Sequence, residues 1–181
     1  MDLRICIAAA ALIAGAPVVL GQSTEKQNNQ DTSTSSTWTY DSKTGQINGA
    51  ASGAKRKAAQ EIVALELSQM TAWNNHDLQG VLAAYWQSAD LISIAGEEPE
   101  VHGFQALQKA LTTIYADPNT MGSLVLDTLR VQVISDDTAS CVASYVVHTA
   151  QNVYYCDDTA TLRHLPEGWR IAFEHATVTT H

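Results

Sequence analysis

The sequence predicts an α+β domain in which three helices pack on a strongly curved, mostly antiparallel sheet. Two patterns carry that prediction. Apolar residues recur at three- and four-residue spacing as far as residue 114, and at two-residue spacing from residue 125 onward. The joints between the later segments are short, and short joints make neighbouring strands pair antiparallel. Helices first and strands afterwards place the helices on one face of the sheet.

The elements follow in order. Ala59, Ile62, Val63, Leu67, Met70 and Trp73 form the stripe of an amphipathic helix over roughly residues 55–75. Asn74-Asn75-His76 interrupts it, and Asp77 is placed to cap a second helix that carries Leu78, Val81, Leu82, Tyr85 and Trp86. Leu91-Ile92-Ser93-Ile94 is a short strand turned by Gly96, and Glu97-Glu98-Pro99-Glu100 is an acidic loop. Gly103 precedes a third helix with Phe104, Leu107, Leu111 and Ile114, stopped at Asp117-Pro118. Residues 125–134, 139–149, 152–164 and 169–178 then read as four long strands rich in Val, Thr, Tyr and Ile. Asp136-Asp137, Ala150-Gln151 and Pro166-Glu167-Gly168 are their joints.

The 181 residues divide into three segments. Arg4 and the apolar run from Ile5 to Leu20, too short to cross a bilayer comfortably, read as a signal peptide over residues 1–21. Residues 22–56, dominated by Ser, Thr, Asn and Gln, read as a disordered linker in which Trp38 and Tyr40 are isolated and solvated. The domain is expected over residues 57–181, and the protein is expected to be secreted or periplasmic.

The charge divides the same way. The whole chain carries −9, but the expected domain alone has five basic and fifteen acidic residues and carries −10. So acidic a domain is a poor partner for nucleic acid or for an anionic membrane surface. Three cysteines exclude a disulfide-dense scaffold. None of the six histidines shows a ligand-pair spacing, and neither metal nor cofactor is expected.

Trp73-Asn74-Asn75-His76-Asp77, Tyr85-Trp86, Asp90-Leu91, Gly103 before a helix, and Gly168-Trp169-Arg170-Ile171 running to His175 resemble the SnoaL-like branch of the nuclear transport factor 2-like superfamily. Thr177 stands where Ser is usual in that terminal-strand pattern. The resemblance spans about residues 57–180. It implies a cystatin-like cone of curved sheet closed by three helices, with a pocket inside. It also implies a homodimer formed through the open face of the sheet, where Val142 and Val146 point outward. The superfamily includes isomerases, cyclases, dehydratases and proteins with no known activity, so the fold alone does not choose among them.

Residue chemistry narrows the site. Glu66 lies in the middle of the first helix's apolar stripe, where a carboxyl must be paired, protonated or facing a wet cavity. A two-residue turn at Pro166-Glu167 sets Leu162 opposite Ile171 and Asp158 opposite His175. Trp169, Ile171 and Phe173 then share the inner face with His175. A similar turn at Ala150-Gln151 sets Cys156 opposite Tyr145 and Ala160 opposite Cys141. Cys141 and Cys156 are therefore four positions out of line, too far apart to bond to each other, and are expected to be two buried thiols.

Glu66, Trp73, Tyr85 and Tyr145 are expected to line the ligand pocket, and His175 with Asp158 to be the catalytic pair if there is catalysis. Two functions remain open at this point. One is an exported domain that binds a small apolar or mixed-polarity ligand, or a partner. The other is an acid/base enzyme of the ketosteroid isomerase, cyclase or dehydratase kind.

Overall fold

The computed structural model describes residues 36–96 and 98–180. The expected signal peptide and the first part of the expected linker lie outside the described residues. A first hairpin, β1 (Thr37–Asp41) and β2 (Gln46–Gly49), precedes three helices: α1 (Ala54–Asn74), α2 (Leu78–Leu82) and α3 (Phe104–Ile114). Two short strands, β3 (Ile92–Ala95) and β4 (Val101–His102), lie between α2 and α3. Four long strands end the chain: β5 (Ser123–Val133), β6 (Thr138–His148), β7 (Val153–Leu165) and β8 (Gly168–Thr180). All eight strands form one sheet in the order β2-β1-β5-β6-β7-β8-β3-β4. The four long strands pair antiparallel in sequence, and β3 joins β8 in parallel.

The hairpin corrects the expected linker of residues 22–56 only where that segment is described, from residue 36 onward, and draws these residues into the domain expected to start at residue 57. Thr37-Trp38-Thr39-Tyr40 alternates like a strand, and β1 pairs with β5, with Trp38 opposite Val131. Trp38 is only 1% exposed, so it belongs to the core and is not a solvated linker residue. A Cβ on Gly49, directly opposite, would collide with the Trp38 indole. The missing side chain is what lets the ring lie across the hairpin. One large aromatic supplies the burial that composition averaged over the segment conceals.

Local signals explain the helix ends. Asp77 caps α2 by accepting from the Gly80 amide at 3.0 Å, as expected. The helix is shorter than its apolar spacing predicts, because after Leu82 the chain turns to meet β8. The Trp86 amide donates to Ile171 O and the Ile171 amide to Ala84 O, both at 2.9 Å. Tyr85 thereby bridges to Ile171 and is carried against β8.

The predicted strand pairing holds in most places. Tyr145 faces Cys156, Cys141 faces Ala160 and Leu162 faces Ile171. Cys141 and Cys156 are accordingly out of line. Cys141 is a free, buried thiol, and Cys156 is buried as well.

The prediction fails beyond Ile171. An irregularity between Thr161 and Leu162 pairs Thr161 with Phe173, so one extra residue is absorbed on β8. The alternation then inverts. Asp158 faces Ala176, and His175 faces Thr159. Glu174 and Ala176 are buried, and His175 is exposed.

Trp38, Ile62, Leu82, Leu107, Leu129, Leu162 and Ile171 are among the core side chains between helices and sheet, each at most 2% exposed. On the outer face Val125, Val146 and Tyr155 fall in one row across β5, β6 and β7.

Candidate functional site

The inner face of the sheet and the underside of α1 enclose a cavity of about 60 Å³. α1 contributes Glu66, Gln69, Met70 and Trp73, spaced so that one helical face presents all four. The long strands contribute Leu124 and Leu126 from β5, Ala143, Tyr145 and Val147 from β6, Asp158 from β7 and Glu174 from β8. Val81 and Tyr85 close the remaining side. Three acids, two phenols and the Gln69 amide thus meet in an otherwise apolar wall, with no lysine, arginine or histidine among the lining residues.

Glu174 is the best satisfied of the acids. The Tyr85 hydroxyl donates to its Oε1 at 3.0 Å and Oε2 at 2.9 Å, and Ser93 Oγ donates to Oε2 at 3.3 Å. Ser93 reaches it because β3 pairs with β8 in the register Ser93 opposite Glu174. Glu66, half-buried with the cavity beside it, accepts from the Cys141 thiol at 3.3 Å. Asp158 is 8% exposed, and its Oδ1 has no hydrogen-bond partner.

The cavity disfavours charge on these groups. Burial raises the Glu66 carboxyl to about 7, and the thiol hydrogen bond only partly opposes it. Burial likewise raises Glu174 to about 7; the Tyr85 hydrogen bond works against the rise and the charge of Glu66 works with it. Asp158 is raised well above the usual carboxylate range, by burial first and then by the charges of Glu174 and Glu66. The Tyr85 and Tyr145 hydroxyls are pushed up by burial and then by the same carboxylates. Burial thus disfavours the charged form of all three carboxyls. A buried carboxylic acid kept neutral is a hydrogen-bond donor of a kind that exposed Asp and Glu do not offer.

Of the residues expected from sequence, Glu66, Trp73, Tyr85, Tyr145 and Asp158 meet at this one cavity. His175 does not; it lies exposed on the other face of β8, which removes the expected His175–Asp158 catalytic pair. Glu174 is the functional side chain that sequence reasoning missed. Simple alternation puts it on the outer face, and only the added residue on β8 turns it inward. The one available signal is a carboxylate directly after the apolar run Ile171-Ala172-Phe173. Among the described residues no group of three His, Cys, Asp or Glu side chains is placed to hold a metal ion.

Solved structures with the same architecture give the fold its class. An NTF2-like protein of unknown function from Shewanella oneidensis superposes with a TM-score of 0.62 at 22% identity, over 66% of this chain and 98% of that one. A candidate dehydratase of the NTF2-like family from Streptomyces avermitilis gives 0.56 at 15% identity, over 68% and 97%. A candidate scytalone dehydratase from Novosphingobium aromaticivorans gives 0.56 at 12% identity, over 71% and 87%. The chain therefore shares the NTF2-like, cystatin-like fold of these structures. No protein-family model matches the sequence, and no curated protein matches it either.

Proposed function

We propose that this chain is an exported, SnoaL-like small-molecule-binding domain whose ligand occupies the cavity between α1 and the sheet. The observation that carries the reading is the convergence of Glu66, Asp158, Glu174, Tyr85 and Tyr145 on one apolar-walled cavity. A few polar groups aimed into an apolar enclosure is how a binding site fixes orientation. Core packing alone would give these positions to aliphatic side chains.

A second reading, acid/base catalysis, is favoured by one specific observation. Two carboxyls of the cavity, Glu66 and Glu174, sit near 7, where a side chain exchanges protons most effectively at neutral pH. In this reading Glu66 takes a proton from the ligand. The protonated Asp158 donates a hydrogen bond to the oxygen on which charge develops, and Tyr85 with Glu174 holds the far wall. The likeness to candidate dehydratases is consistent with such chemistry but, at these identities, speaks only for the fold.

A thermal-shift screen of small ketones, alcohols and amines against the wild type, Asp158→Asn and His175→Ala tests the binding reading. Ligands that stabilise the wild type should lose their effect in Asp158→Asn and keep it in His175→Ala. A shift abolished by His175→Ala and retained by Asp158→Asn would move the site off this cavity. Solvent-deuterium exchange into a ligand ketone, lost in Glu66→Gln, separates catalysis from binding alone.

A further inference from the structure

We propose that the cavity takes a small organic cation, a short primary alkylammonium, seated on Asp158 with Glu66 beside it. This deepens the binding reading above and rests on it. The first observation is the unpartnered Oδ1 of Asp158, a carboxyl 8% exposed on the inner face of β7 that lines the cavity. Among the described residues the buried side-chain atoms without a partner are this Oδ1 and the indole Nε1 atoms of Trp38, Trp73 and Trp169, and the Oδ1 is the one acceptor of the four; leaving it so costs on the order of 1–3 kcal/mol. The neighbouring acids show the contrast. Glu174 is served by Tyr85 and Ser93, and Glu66 by Cys141, whereas no side chain reaches Asp158 Oδ1.

The second observation is the sign of the site. Three carboxyls line one cavity and no basic side chain does. A neutral ligand would leave their mutual repulsion in place, whereas a cation relieves it and lets the nearest carboxyl ionise. The volume sets the size. About 60 Å³ holds only a few waters, at roughly 10–15 Å³ each, so the ligand has only a few heavy atoms. Trp73 and Tyr145 supply aromatic wall, which suits an ammonium and its short alkyl tail.

Binding is then linked to pH, since the cation competes with the carboxyl protons. The titratable groups that face the seat are Glu66 and Asp158, then Glu174, the Tyr85 and Tyr145 hydroxyls, and the Cys141 thiol. Five of the six line the cavity, the Cys141 thiol meets it through Glu66, and none is cationic. Affinity for the ammonium should rise from pH 6 to pH 8 as the proton is displaced more easily.

The test is calorimetric titration of the full chain with ethylammonium chloride, against ethanol as the neutral isostere and sodium chloride as the ionic-strength control. Ethylammonium should bind with an affinity that rises at least tenfold from pH 6 to pH 8 and falls at least tenfold in Asp158→Asn, while ethanol and sodium chloride give no comparable signal. Should Asp158→Asn fail to fold, nuclear Overhauser contacts from the ethyl group to the Trp73 and Tyr145 rings of the wild type place the ligand instead. Equal binding of ethanol and ethylammonium overturns the cation and leaves the small-molecule pocket standing. Ethylammonium binding that is untouched by Asp158→Asn overturns the seat. No ring contacts and no heat from ethylammonium also overturn the proposal; the screen of ketones and alcohols then decides separately whether the cavity binds ligands at all.

Discussion

Glu66 sits where an α-helix turns its apolar stripe toward a sheet, and its carboxyl is accordingly held to about 7 against an ordinary 4.5. Folded, it keeps its proton until about pH 7; unfolded, it releases it near 4.5. Between those values the folded state binds more protons, so its contribution to stability is complete below 4.5 and is lost as pH rises through 7. Glu174 behaves alike. For a shift of this size the loss is about 3 kcal/mol per carboxyl. Thermal unfolding of the ligand-free protein should therefore give a Tm several degrees higher at pH 5 than at pH 8. In Glu66→Gln the difference should shrink but persist, since Glu174 and Asp158 still contribute, with a gain in stability at pH 8. Identical profiles for wild type and variant would mean that Glu66 is solvated rather than enclosed. Asp41 and Asp137, lowered by local hydrogen bonds, act in the opposite sense only at more acid pH and leave this window untouched.

Among the elements, the first hairpin carries the most testable claim. It ties the chain before α1 to the edge of the sheet at β5, and its anchor is the buried indole of Trp38. Trp38→Ala should cost about 3–5 kcal/mol in urea unfolding, and Gly49→Ala about 1–3 kcal/mol by displacing the same ring. A cost under about 0.5 kcal/mol for Trp38→Ala, the range of an ordinary surface change, would return the segment to a tether. Such elements show where the sequence speaks and where it falls silent. The α1 stripe, the Asp77 cap and the hairpin joints of β6–β8 are local signals, and they locate Glu66, Tyr145 and Asp158 on inward positions. The β8 irregularity is not local. It depends on how the strand fits against β7 on one side and β3 on the other, and one added residue exchanges Glu174 for His175 at the site. The hairpin is hidden for a related reason. Ser42-Lys43-Thr44-Gly45 between β1 and β2, and Gln46 and Asn48 within β2, read as linker until β5 offers Trp38 a place to be buried.

At the scale of the molecule, the cone places its polar chemistry inside and most of its acidity outside. Most of the domain's acids are exposed and need no partner, whereas Glu66, Asp158 and Glu174 share one desolvated cavity without a counter-cation. That arrangement is the central claim, and everything said of ligand or proton transfer depends on it. Its most direct measurement is a carbon-13 NMR titration of the side-chain carboxyls in the ligand-free protein. Glu66 and Glu174 should titrate with midpoints near 7, Asp158 well above the ordinary Asp range, and the three curves should depend on one another, as close acids require. Independent midpoints near 4 for all three would contradict a shared, water-poor cavity and with it the proposed site.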